Sequence, residues 1–338
     1  MKAIGKIKSL MLNRFYHPRT DAAWSKEGHF LPKKAAVVIS ADFELAWAWR
    51  YSLDGVEGAL KKARWERQQV ARIGNFLEKE QIPITWATVG HLFLQSCQKA
   101  SSGLTHESMP RPSRYRNPFW SFSGDDWMEH DPGAGVRNAP EWYAPDLIEN
   151  LLRSSVPHEF GCHSFSHMDL SEVSCSPELF RYEVNESRLA MKAFGLDPTS
   201  FVFPGNLAGH LDLLADSGFQ VVRHYPWKEI EMGWPREFEL NNSARALCGI
   251  AHGYILDSTG WDLSYLRNKI LSLIEKAIDS RQLVSLWFHP SLSQVDYENL
   301  FQPILKFCAE RRNRGDLDIL TMAEVGKKCR NFFKENSE

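Results

Sequence analysis

Short, nearly unbroken apolar runs recur along this chain, and each is separated from the next by a stretch whose apolar residues repeat with helical spacing. The runs predict strands over 36–41, 82–89, 157–162, 199–203, 219–223, 248–256, 283–288 and 318–321. Between them, residues 57–79 place Leu60, Val70, Ile73, Phe76 and Leu77 on one side of a charged helix. Further helices are expected over 140–154, 177–194, 207–216, 263–279 and 297–312, with another at the C-terminus. Strands without polar alternation are buried on both faces, which parallel sheets covered by crossover helices achieve. A chain of 338 residues accommodates this as one domain. About seven strand–helix units suit an α/β barrel with its working residues at the carboxyl ends of the strands. A doubly wound open sheet is the alternative arrangement.

The rhythm breaks over residues 101–140. This stretch holds five prolines (110, 112, 118, 132 and 140) and four glycines (103, 124, 133 and 135). Loops of that length are usually functional or disordered. Tyr115, Phe119, Trp120, Phe122, Asp125, Asp126, Trp127 and His130 argue against disorder, so an ordered lid over the barrel mouth is expected. The chain is expected to divide into a basic N-terminal segment (1–32), an α/β domain (33–325) with the insertion 101–140 as its lid, and a C-terminal helix and tail (326–338).

Chemistry-bearing residues gather where the strands end. His163 and His167 close the run Glu159-Phe160-Gly161-Cys162, four residues apart. Two imidazoles at that spacing can meet on one metal ion if the residues between them form a helical turn. Asp42 and Glu44 end the first run, and residues two apart on a strand point to the same side. One carboxylate would hold the metal while the other serves as base. A third run, Leu283-Val284-Ser285-Leu286-Trp287-Phe288, delivers His289 just before Pro290, which holds it in extended geometry.

These residues resemble the polysaccharide deacetylases of carbohydrate esterase family 4. Ser40-Ala41-Asp42-Phe43-Glu44 stands at the family's first motif, and His163-Ser164-Phe165-Ser166-His167 matches its His-(Ser/Thr)-x-x-His motif. Phe201-Val202-Phe203-Pro204-Gly205-Asn206 falls at the third motif, and Leu286-Trp287-Phe288-His289-Pro290 matches the last. Pro83–Gly90 reads like the family's second strand. The resemblance implies a distorted (β/α)7 barrel and a metal-dependent hydrolase that removes an N-acyl group, most simply acetyl, from an amino sugar. Asp42 would be the base, Glu44, His163 and His167 the metal ligands, and His289 the acid, with the roles of Asp42 and Glu44 open to exchange. Zinc suits two imidazoles and one carboxylate, although iron, cobalt or manganese could fill the same site.

Two departures from the family pattern matter. Phe43 takes the place of the second of two adjacent acids, as in the Asp-x-Glu subset of the family. Val202 replaces the arginine of the third motif, for which Arg223 and Arg116 are the candidate stand-ins. A deformylase or cyclic-amide hydrolase on the same scaffold is the alternative enzyme. A carbohydrate-binding relative without catalysis is the alternative outside enzymes.

Charge is balanced, with 40 basic and 42 acidic residues, which leaves no footprint for nucleic acid. The six cysteines are scattered, so a disulfide framework is not expected, and Cys162 reads as a core thiol. No signal-peptide core or membrane-length apolar run is present, and a cytoplasmic protein acting on a nucleotide-linked, lipid-linked or oligosaccharide amino sugar is expected. Residues 1–20 mix Lys2, Lys6, Lys8, Arg14 and Arg19 with apolar side chains, a pattern that allows weak contact with a membrane surface. Of twelve tryptophans, Trp47, Trp49, Trp120, Trp127, Trp227 and Trp234 lie near the motif loops. One or two are expected to stack on a sugar ring and the others to pack.

Overall fold

The computed structural model describes residues 32–224, 233–237, 240, 243, 245–257 and 262–335. The basic segment 1–20 and Trp227 lie outside them. At the centre is β1 (Ala35–Phe43), all nine residues buried. One of its edges pairs in parallel with β11 (Leu283–Phe288). Its other edge is shared end to end by β12 (Leu317–Leu320), alongside Ala35–Val38, and β2 (Thr85–Thr88), alongside Ser40–Phe43. The sheet continues in parallel from β2 through β5 (Glu159–Cys162), β6 (Ser200–Val202) and β7 (Val221–His224) to β9 (Cys248–Ala251), which the short β8 (Arg236–Glu237) joins antiparallel. On the far side of β11 lies β10 (Tyr254–Ile255), also parallel.

The topology dictates a curl. β9 and β10 occupy opposite flanks of the sheet, yet only His252 and Gly253 separate them in sequence. The two flanks must therefore approach each other, and the sheet rolls into an incomplete (β/α)7-type barrel. The single strand expected over 248–256 is accordingly two strands. Gly253 makes the crossing: its φ is +77°, and a Cβ there would lie 1.9 Å from the Ser285 carbonyl oxygen. Only glycine tolerates both conditions.

Side-chain alternation on β1 sorts the two sides of the barrel wall. Ala35, Val37, Ile39, Ala41 and Phe43 join the large core beneath the helices. Ala36 and Val38 face the smaller interior cluster with Ala87, Val202, Val221 and Cys248. The C-terminal helix (Met322–Glu335) contributes Met322, Val325 and Cys329 to that cluster, so it closes the amino-terminal end of the barrel. Ser40 and Asp42 continue the inward face of β1 toward the opposite end.

The outer helices follow the expected periodicity. The first, α1, spans Gly55–Lys79 and buries Ala59, Ala63, Glu66, Val70, Ile73 and Leu77. The helix Pro177–Lys192, called α3 after α2 (Pro145–Leu152), starts at Ser176, whose Oγ accepts the Leu179 N–H at 3.2 Å. The helix expected over 297–312 starts earlier, at Gln294, and passes through a π turn, Tyr297–Phe301, before its α portion Gln302–Arg314. Pro303 lacks the N–H that a continuous α ladder would use there. Among the described residues, no helix is long and apolar enough to cross a membrane.

Candidate active site

Asp42 meets Arg223 across the barrel interior. Arg223 Nη1 donates to Asp42 Oδ1 at 2.8 Å and Nη2 to Oδ2 at 2.5 Å, while Nη1 also donates to Ser40 Oγ at 2.7 Å. Both residues are buried, and the guanidinium lies 4.8 Å above the Trp287 ring. A two-pronged contact of this kind fixes the plane of the carboxylate. Arg223 sits on β7 opposite Val202 of β6. The arginine missing from the third motif is thus supplied one strand further on, at the same height. Arg116, the other candidate, is exposed on the insertion.

Glu44 and the histidine pair converge. Glu44 Oε1 lies 3.1 Å from His163 Nε2 and 2.9 Å from His167 Nε2, and all three residues are buried. The convergence does not use the helical turn anticipated for residues 163–167. Ser164 and His167 instead adopt left-handed φ values of +59° and +55°, which swing the two rings together. His163 Nδ1 faces the Val202 carbonyl at 2.7 Å, and a carbonyl can only accept, so Nδ1 donates. A neutral His163 ring then presents a lone pair at Nε2 to a carboxylate oxygen, two acceptors facing one another. Burial lowers the pKa of His167, favouring its neutral ring. For Glu44, burial acts to raise the pKa, but His167, His289 and the hydrogen bonds to the histidine pair hold it well below the usual range. A carboxylate and two imidazole nitrogens sharing one point are the donor set of a divalent ion, and the residues fit such a group.

Two buried glutamates from the helices, neither singled out by sequence, hold the backbone that carries Glu44 and the histidine pair. Glu66 Oε1 on α1 accepts the N–H groups of Glu44 and Leu45 at 3.1 and 3.3 Å. Glu183 Oε2 on α3 accepts those of Phe165 and Ser166, each at 2.8 Å, and its Oε1 accepts the Ser166 hydroxyl at 2.5 Å. Both show the same sequence signal, an acid within an otherwise apolar helical stripe. Arg50, in the turn that follows the first motif, is another charged residue that holds this backbone. It is buried, donates to the Ser166 carbonyl at 3.0 Å and lies against the rings of Trp47, Tyr51 and Trp127.

His289 follows β11 and packs against Trp287 and Trp49. Its Nδ1 donates to Asp257 Oδ2 at 2.6 Å, and its backbone N–H points to the same carboxylate. Burial acts to lower the His289 pKa, but Asp257, then Glu44, outweigh it and push the value up to about 9. One ligating atom each from Asp42, Glu44 and His289 lies within 4.8 Å of the others. Asp257 was missed by sequence reasoning, although an acid just past an apolar strand-like run was a readable signal.

The insertion packs against the histidine loop. Its hairpin pairs β3 (Tyr115–Arg116) with β4 (Ser121–Phe122). Trp120 donates from Nε1 to the Ala48 carbonyl at 2.8 Å and sets its ring edge-on to His167, 5.1 Å between centroids. Trp127 donates to Ser166 Oγ at 2.8 Å. Trp47, Trp120 and Trp127 are buried by packing, and Trp234 donates to the Arg281 carbonyl, on the turn that enters β11. Trp49 stays partly exposed beside His289.

Residues 62–221 match the model of the family described as polysaccharide deacetylase. The matched segment contains His163 and His167, while Asp42, Glu44, Arg223 and His289 lie outside it. No curated protein matches the chain in sequence. Among solved structures, a Mycobacterium smegmatis protein assigned to the polysaccharide deacetylases shares 15% identity and a TM-score of 0.61, covering 90% of this chain and 93% of its own. The Puue allantoinase shares 12% identity with the same TM-score of 0.61, covering 92% and 97%. Identities this low speak to the fold alone. The matched segment, just under half of the chain, supplies the two histidines; over that segment the chain is similar to the polysaccharide deacetylases, and the fold around it is shared with these solved structures.

Proposed function

We propose that this chain hydrolyses an N-acetyl group from an amino sugar, with a divalent ion, zinc by its donor set, held by Glu44, His163 and His167. The observation that carries the reading is the meeting of Glu44 with both imidazoles beside a second carboxylate, Asp42, that Arg223 holds in place. When bound, the ion supplies Lewis acidity at the amide carbonyl. Asp42 takes the proton of the attacking water, because each of its oxygens keeps a further lone pair beyond the one Arg223 occupies. His289 gives a proton to the leaving amine. Asp257 occupies its Nδ1 and keeps the ring protonated at neutral pH, so Nε2 faces the substrate as the acid. Trp49, partly exposed beside His289, offers a flat face to the sugar, and the insertion serves as the lid.

Hydrolysis of a cyclic amide is the second reading, favoured by the fold shared with an allantoinase. The deciding experiment incubates the zinc-loaded chain with N-acetylated amino sugars and with cyclic amides, and follows acetate release and ring opening. Acetate release that disappears in the His163→Ala/His167→Ala variant, together with the one equivalent of metal these residues hold, is the expected result. Full metal occupancy in that variant would remove the ligand assignment, and ring opening without acetate release would favour the second reading.

A further inference from the structure

A second group of metal-binding side chains lies outside this site. His91 follows β2, Cys97 stands just before the insertion, and His106 and Asp131 belong to it. One ligating atom from each lies within 4.8 Å of all the others. Asp131 Oδ2 is 3.3 Å from His91 Nε2, 3.5 Å from His106 Nε2 and 3.0 Å from Cys97 Sγ. Zinc bonds of about 2.0–2.3 Å in tetrahedral geometry place neighbouring ligand atoms roughly 3.3–3.6 Å apart. The spacing around Asp131 is therefore already close to that of a filled site.

The surroundings point the same way. His91 Nδ1 is 3.3 Å from the Trp142 carbonyl, to which it can only donate, so a neutral ring turns the lone pair of Nε2 toward the Asp131 carboxylate. His106 Nε2 is buried and makes no hydrogen bond among the described residues, although Asp131 Oδ2 is 3.5 Å away. The other oxygen, Oδ1, accepts the Tyr143 hydroxyl at 3.1 Å and the Gly133 N–H at 3.0 Å, outer contacts that orient a ligating carboxylate. Cys97 and His106 are only partly buried, which leaves a route in for an ion.

We propose that His91, Cys97, His106 and Asp131 form a structural zinc site that ties the 101–140 insertion to the barrel. On binding, Cys97 gives up its thiol proton to solvent. Its thiolate and the Asp131 carboxylate then balance the two charges of the ion, and two neutral imidazoles complete the shell. Four protein ligands leave no open position, as in sites that stabilise a fold. Phe165 packs against the rings of both His91 and His106, so the site also buttresses the loop that carries His163 and His167.

The proposal shares no residue with the catalytic reading and is tested separately by its thiolate. The full chain is produced in cobalt-supplemented medium, and its absorption and metal-to-protein ratio are measured. A thiolate-to-cobalt charge-transfer band is expected in the wild type, absent from Cys97→Ser and retained in His163→Ala/His167→Ala. His106→Ala is expected to lose one equivalent of metal. The band supports the site whether one or two ions are bound, because Glu44, His163 and His167 offer no sulfur. Folded wild type without the band, a band that survives Cys97→Ser, or undiminished metal in His106→Ala would overturn the proposal. If Cys97→Ser does not fold, the wild-type spectrum and His106→Ala decide.

Discussion

At the scale of single residues, His289 and Asp257 form the pair whose chemistry is most open to measurement. The register of β10 on β11 sets Ile255 opposite Trp287, and two residues further along each chain segment, just past the strand ends, come Asp257 and His289. With its pKa pushed up to about 9, the imidazolium is present at neutral pH and is lost as the pH rises through that value. The proposed acid then predicts a rate that falls on the basic side near pH 9. Removing the negative charge in Asp257→Asn should shift that fall to lower pH and leave metal content unchanged, which parallel pH–rate and metal measurements would show. His289→Gln should slow turnover by roughly 10²–10⁴-fold in a folded, metal-loaded protein. Unchanged turnover would take His289 out of the mechanism. The acids and histidines at strand ends were legible in sequence because strand periodicity places them. The partner of Asp42 was legible only as a choice between Arg223 and Arg116, since which arginine crosses the barrel depends on the curl of the sheet.

At the scale of elements, α1 and α3 perform a similar task on two different loops. Each turns a buried glutamate toward consecutive backbone N–H groups that the end of a strand leaves unpaired. The backbone there is left-handed at Leu45, Ser164 and His167, conformations that persist only when their surroundings enforce them. Helical periodicity located both helices but treated their acids as noise in an apolar stripe. The partners of those acids are N–H groups more than fifteen residues away, beyond the reach of local patterning. Glu183→Ala would strand three buried donors, each costing about 1–3 kcal/mol. It should therefore lower stability by several kcal/mol in a denaturant melt and weaken metal retention as the His163–His167 loop relaxes. Glu183→Gln keeps an acceptor for the two N–H groups and should lie between the two. Equal stability of the alanine variant and the wild type would count against this role.

At the scale of the molecule, closure of the barrel and assembly of the site are one event. Arg223 on β7 reaches Asp42 on β1 only because the intervening strands curl, and Asp257 reaches His289 only because the chain crosses from β9 to β10. The sequence pattern predicted a barrel from alternating strands and helices but read residues 248–256 as one strand. Local apolarity cannot show that a run changes neighbours midway. The glycine at its centre was the available sign. Gly253→Ala tests this coupling. The new Cβ would meet the Ser285 carbonyl at 1.9 Å, so β10 must move away from β11. Stability should drop by roughly 2–4 kcal/mol, within the range for strain at a special backbone position. The displacement should also separate Asp257 from His289, so the basic fall in the pH–rate profile should move to lower pH, as in Asp257→Asn. A variant that loses stability but keeps the wild-type pH profile would show that closure and the proton donor are independent of each other.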